Sequence, residues 1–174
     1  GVSVDYRLRE MGQFGTGDQS RGFQNALSEL SDADAFLIIG ANLSDEQPLI
    51  THRILKARQR GCVVCLVNPV EDACPVDVAA KAIVAPHRML SALEEIALAL
   101  AQGSQQGIAY ILSHRSRVCI ILGALALHHP DMHRIYTCVQ TIAQLTHGKV
   151  NVLTDGANSS GGFIKSAGTT DAYT

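Results

Sequence analysis

Alternation of short apolar runs with stretches of helical periodicity constrains this chain more than any other feature. Ala35-Phe36-Leu37-Ile38-Ile39 closes at Gly40, Cys62-Val63-Val64-Cys65-Leu66-Val67 at Asn68-Pro69, and Val118-Cys119-Ile120-Ile121-Leu122 at Gly123; Ala82-Ile83-Val84 and residues 150–153 are shorter runs of the same kind. The three longer runs show no alternation of apolar with polar residues, so they read as strands buried on both faces, the signature of a parallel sheet. Right-handed crossovers then place the intervening helices over both faces. The expected fold class is α/β: a three-layer, Rossmann-like domain with a mainly parallel sheet. Residues 1–174 form one such domain, read as a fragment of a larger subunit.

Helix signals fill the gaps between the runs. Phe23, Ala26, Leu27 and Leu30 recur at helical spacing and predict a helix over residues 19–30 after a Gly-rich lead-in. Ser44 with Gln47 reads as a capping box ahead of Pro48, opening a helix that stops at Gly61, and Ser91 with Glu94 reads as a second box for a helix ending near Gly103. Pro130 opens a helix with Met132, Ile135, Tyr136, Val139, Ile142 and Ala143 on one face, closed by Gly148. Two βα units also resemble each other: Ile39-Gly40-Ala41 through Pro48 to His52-Arg53-Ile54 parallels Leu122-Gly123-Ala124 through Pro130 to His133-Arg134-Ile135.

Composition excludes several classes. Fourteen Lys and Arg against sixteen Asp and Glu give a net charge of −2 with no basic block, which argues against a nucleic-acid partner. The apolar runs fall far short of the roughly 20 residues that cross a bilayer as a helix, so no direct membrane insertion is expected. Five cysteines at irregular spacing fit reduced, packed thiols. Cys62 and Cys65 have C-x-x-C spacing, but on a strand positions three apart face opposite ways and cannot share a metal or close a disulfide.

Ligands of such sheets bind beyond the carboxyl ends of the strands, where the strand order reverses. Here those ends are residues 40–44, 68–71, 123–129 and 154–162. Gly40-Ala41-Asn42-Leu43 sits where a dinucleotide fingerprint would, yet Asn42 replaces the second glycine of G-x-G-x-x-G. The Gly-rich run 155–162 reads as a loop after a terminal strand. His129 and His133, four apart, would share a helix face beside His128, but Asp131 points elsewhere and no further ligand is placed to complete a metal site. Asp5-Tyr6-Arg7-Leu8-Arg9 reads as a salt-bridged surface segment. No hydrolase elbow or H-E-x-x-H occurs, so the residues yield no catalytic, cofactor-binding or metal-ligating assignment.

Several stretches in order carry a family likeness. Residues 34–43, Glu46-Gln47-Pro48-Leu49, His52-Arg53, Lys56-Ala57 and Arg60-Gly61 before a strand ending Val67-Asn68-Pro69 resemble the molybdopterin oxidoreductase superfamily. Within it the chain is similar to the G subunit of bacterial NADH-quinone oxidoreductase, respiratory complex I, through Arg7-Leu8-Arg9, Asn68-Pro69-Val70, Ile83-Val84-Ala85-Pro86 and Gly156-Ala157-Asn158-Ser159-Ser160-Gly161. That likeness spans residues 4–162 and implies a noncatalytic structural domain of a longer subunit in the peripheral arm, on the cytoplasmic face of the bacterial plasma membrane. It implies other peripheral-arm subunits as partners and a parent complex that passes electrons from NADH to quinone. The parent's iron–sulfur clusters would be held by a cysteine-rich region that Cys62, Cys65, Cys74, Cys119 and Cys138 do not match, so no cofactor is assigned to this fragment. A cofactor-binding domain of a formate dehydrogenase-like molybdopterin enzyme is the alternative, motivated by residues 40–43 and 154–162. The middle domain of a thiamine diphosphate enzyme shares the style of residues 32–43 but matches less elsewhere.

Overall fold

The structure is a computed structural model that describes residues 23–71 and 76–153. Five parallel strands, β1 (Ala35–Ile39), β2 (Val63–Asn68), β3 (Ala80–Ile83), β4 (Val118–Leu122) and β5 (Lys149–Val152), form one sheet in the order β3-β2-β1-β4-β5. Seven helices connect and flank them: α1 (Leu27–Leu30), α2 (Leu43–Glu46), α3 (Pro48–Arg58), α4 (Met89–Ala101), α5 (Gly107–Ser113), α6 (Ala124–Leu127) and α7 (Met132–Thr146). The expected α/β class and parallel sheet are both present.

Period-two geometry divides the strand residues between two apolar layers. Ala35, Leu37, Ile39, Cys65, Val67, Ile120 and Leu122 pack with Leu93 of α4, Leu112 of α5 and Ile135, Val139 and Ile142 of α7. Phe36, Ile38, Val64, Leu66 and Ile121 face the other way, onto Leu30 of α1 and Ile50, Ile54 and Ala57 of α3. Every residue of β1 and β4 is buried, which is why their sequences show no polar alternation. β3 is an edge strand and alternates between half-buried and exposed. Its Lys81 pairs with Glu71 and keeps that carboxyl below the usual carboxylate range.

Several local expectations need correction. The helix expected from residue 19 exists, within the described residues, only from Leu27: Phe23 instead forms an antiparallel bridge to Asn151. Asn25 N–H donates to Asn151 Oδ1 at 3.0 Å and Val150 N–H to Gln24 Oε1 at 3.1 Å, so the edge of β5 takes the backbone that propensity would have coiled. Neither capping box forms. Ser44 lies inside α2, and Gln47, with a non-helical backbone, precedes Pro48 without a side-chain cap. Ser91 is the third residue of α4 and donates to Arg88 O at 2.9 Å, while Glu94 pairs with Arg134 of α7. Helices α5 and α6 lie outside the expected elements; each contributes apolar residues to the first layer, Ile108 and Leu112 from α5 and Ala126 and Leu127 from α6.

Candidate functional site

In the order β3-β2-β1-β4-β5 the chain leaves β1 toward β2 on one side and later returns to β4 on the other, so the strand order reverses between β1 and β4. A crevice between their carboxyl ends is the standard ligand position in an open parallel sheet. Gly40 follows β1 at φ 57°, a left-handed conformation that favours glycine. Gly123 follows β4 in an extended conformation open to any residue, but a Cβ there would lie 2.2 Å from the Ala41 Cβ. A Cβ on Gly40 would likewise meet the Ala126 backbone nitrogen at 2.5 Å. The two turns are therefore pressed against each other, and glycine at both positions permits the contact.

Hydrogen bonding closes the crevice further. Gly40 N–H donates to Val67 O at 3.0 Å, Gly123 N–H to Ile39 O at 2.9 Å and Leu125 N–H to Gly40 O at 2.9 Å. Asn68, fully buried at the end of β2, braces the first turn with both ends of its amide: Oδ1 accepts Ala41 N–H at 3.0 Å and Nδ2 donates to Ala41 O at 3.1 Å. Glu46 bridges the two turns. Its Oε1 accepts Asn42 N–H at 2.7 Å and its Oε2 accepts Ala124 N–H at 3.0 Å. All six N–H groups of residues 40–42 and 123–125 are thus donated within the chain.

Sequence reasoning missed Glu46 and Asn68. The available signal was an acid four residues beyond Asn42, close enough to turn back onto the start of its own short helix, as a capping-box carboxylate does. Its reach to Ala124 depends on the adjacency of β1 and β4 and is invisible locally. The Gly-rich run 155–162, the segment at Arg7, and Cys74 lie outside the described residues.

The histidines do not converge. His129 precedes α7 rather than joining it: its Nδ1 accepts Asp131 N–H at 2.9 Å and its Nε2 lies 2.9 Å from Pro86 O, so the expected shared face with His133 is absent. Among the described residues no group of three or more His, Cys, Asp or Glu is placed to hold a metal. Cys62 and Cys65 fall in opposite apolar layers, as their strand spacing predicts. Burial pushes the Cys62 thiol up to about 12 and those of Cys65, Cys119 and Cys138 to about 11, which keeps them protonated and poor nucleophiles. A shallow open recess of about 590 Å³, lined by Gln24, Gln140, Ala143, Gln144, His147, Gly148 and Val150, lies at the amino end of β5, far from the crevice.

Comparison with known proteins now places the chain. Residues 3–171 match the family profile described as molybdopterin oxidoreductase. The chain belongs to the molybdopterin oxidoreductase family. Over 56 residues this molybdopterin oxidoreductase domain is 35% identical to the F420-dependent formate dehydrogenase 1 subunit alpha of Methanococcus maripaludis, a match covering 32% of the chain and 8% of that protein. It is 34% identical over 56 residues to the F420-dependent formate dehydrogenase subunit alpha of Methanocaldococcus jannaschii, with the same coverage of 32% and 8%. The match thus spans less than a tenth of either relative. Among solved structures, the fold resembles a chain of the formyltransferase/hydrolase complex from Methylorubrum extorquens in complex with methylofuran, at TM-score 0.59 and 17% identity, covering 87% of this chain and 45% of that one.

The family implies a pterin cofactor whose diphosphate needs backbone N–H donors and compensating cations. At the β1–β4 crevice the residues do not fit it. The six N–H groups are taken, and Asp45 and Glu46 put two carboxylates at the mouth, where Asp45 accepts from Asn42 Nδ2 at 2.8 Å. No helix among the described residues is long and apolar enough to cross a membrane.

Proposed function

We propose that this molybdopterin oxidoreductase domain is a structural member of a larger oxidoreductase, of the kind represented by the G subunit of complex I, and holds no pterin itself. One observation carries the reading: the crevice that would receive the cofactor is filled by the chain's own hydrogen bonds, with the Glu46 carboxylate bonded to both of its turns. The order of motifs through residues 83–86 and 156–161 supports the same parent. On this reading iron–sulfur clusters belong to another region of the parent subunit, electrons pass from NADH to quinone through the assembly, and the neighbours are other peripheral-arm subunits at the cytoplasmic face of the membrane.

A second reading has its own support. The relatives are alpha subunits of formate dehydrogenases, and the likeness to them favours a working cofactor-binding domain in a multi-subunit enzyme. Native mass spectrometry of the purified chain, with molybdenum and tungsten analysis of the same sample, separates the two. A bare chain mass after addition of molybdopterin guanine dinucleotide is the expected result. A retained pterin, or metal near one equivalent per chain, overturns the structural reading in favour of the second.

A further inference from the structure

Glu46 stands where the chain needs an anion. The turn after β4 enters α6 with the Ala124 N–H directed at the crevice, and that unit supplies no acceptor of its own: residues 124–129 read Ala-Leu-Ala-Leu-His-His. The acceptor arrives from the other βα unit. Glu46, 78 residues earlier in the chain, spans from Asn42 N–H at 2.7 Å to Ala124 N–H at 3.0 Å. The bond to Ala124 crosses the boundary at which ligands of open parallel sheets ordinarily insert. A carboxylate offers two oxygens and no hydrogen, so it satisfies both donors at once; an amide of the same shape satisfies one and presents its own N–H groups to the other.

We infer that Glu46 is a built-in carboxylate latch that joins the two turns and holds the crevice between β1 and β4 shut. The latch rests on the structural reading above and explains it physically: a family ligand would have to displace an acid bonded to two backbone amides. It also assigns a separate task to each residue of the turn. Asn68 braces Ala41 against β2, Asp45 takes the Asn42 side chain, and Glu46 alone of the three reaches the β4 side.

The test is chemical rescue, performed on the whole chain as Glu46→Ala and Glu46→Gln. Glu46→Ala is expected to lower Tm by about 6–12 °C, the effect of losing two charge-assisted hydrogen bonds in a chain of this length. Hydrogen exchange should quicken at least tenfold, on the order of one lost hydrogen bond, at both Asn42 and Ala124 amides. Sodium acetate should then raise the variant's Tm saturably, with sodium chloride at equal ionic strength as the control, and leave wild type unmoved. Glu46→Gln should lose protection at one of the two amides only, and it carries the test if Glu46→Ala does not fold. Unchanged exchange at Ala124 in both variants, or a Tm loss on which acetate and chloride act alike, would overturn the latch. Binding of molybdopterin guanine dinucleotide by wild type would sink the structural reading, whereas a silent Glu46→Ala variant in a chain that binds no pterin would sink the latch alone.

Discussion

The turns after β1 and β4 start from similar sequences, Ile39-Gly40-Ala41 and Leu122-Gly123-Ala124, and solve different problems. Gly40 must be left-handed and must also admit Ala126; Gly123 is conformationally ordinary and is fixed by the approach of Ala41 and the Gly40 carbonyl. Past the glycine the units diverge again. The first places Pro48 as the opening residue of α3 and sends Glu46 out to its neighbour, while in the second Asp131 separates Pro130 from α7 and the turn receives that acid. A repeated motif thus persists where the packing is mutual, and differs where one copy serves the other.

Alanine at the two glycines probes the difference most strongly. Gly40→Ala is expected to cost about 3–5 kcal/mol, overpacking plus left-handed strain, and Gly123→Ala about 1–2 kcal/mol less because it carries the overpacking alone. Denaturant melts measure both, and equal losses would erase the distinction. Since backbone atoms as well as side chains block each Cβ, shrinking Ala41 to glycine should not restore Gly123→Ala.

Within the strands the comparison should vanish. Ile38 and Ile121 are register partners with 2% and 0% exposure, and truncating either to alanine should cost about 2–5 kcal/mol. A loss below about 0.5 kcal/mol at Ile38, well under that range, would mean that β1 is not central. Asn68→Ala should come next, at about 2–3 kcal/mol, because it strands both main-chain groups of the buried Ala41; no equivalent brace exists for Ala124 among the described residues.

The smallest effect belongs to the opposite ends of the same strands. There Arg117 grips Asp34 through Nη2 at 2.8 Å and Nε at 3.3 Å, and Ser116 donates at 2.9 Å. The Arg117 guanidinium, with Ser116, holds the Asp34 carboxyl below its ordinary value. A depressed folded pKa contributes stability above the unfolded pKa of about 3.9 that is lost as pH falls through the lower folded value. The Tm gap between wild type and Asp34→Asn should therefore be constant from about pH 5 to 7 and close below about pH 4. A gap that widened on acidification would contradict the pairing.

The central strands and the apolar face of α7 were legible because burial on both sides, or on one stripe, writes itself into residue periodicity. Met132, Ile135, Tyr136, Val139, Ile142 and Ala143 are all buried as their spacing predicts. What sequence reading lost was decided by partners remote in the chain. Ser44 and Ser91 look like caps, yet Ser44 lies inside α2 and Ser91 is the third residue of α4, whose Glu94 pairs with Arg134 of α7, 40 residues on. The closed crevice was beyond reach for the same reason: the motifs that hold Glu46 and Asn68 carry a family likeness, but the bonds these residues make to Ala124 and Ala41 cross between strands.

The bridge between residues 23–25 and β5 bears on how the domain assembles. Asn25 and Asn151 exchange two hydrogen bonds, of 3.0 and 2.9 Å, across a separation of 126 residues. Such a contact forms only after a very long loop has closed, whereas β1 and β2 meet through one crossover. This seam is therefore expected to form late, and its amides to exchange ahead of those in β1 when hydrogen exchange is measured.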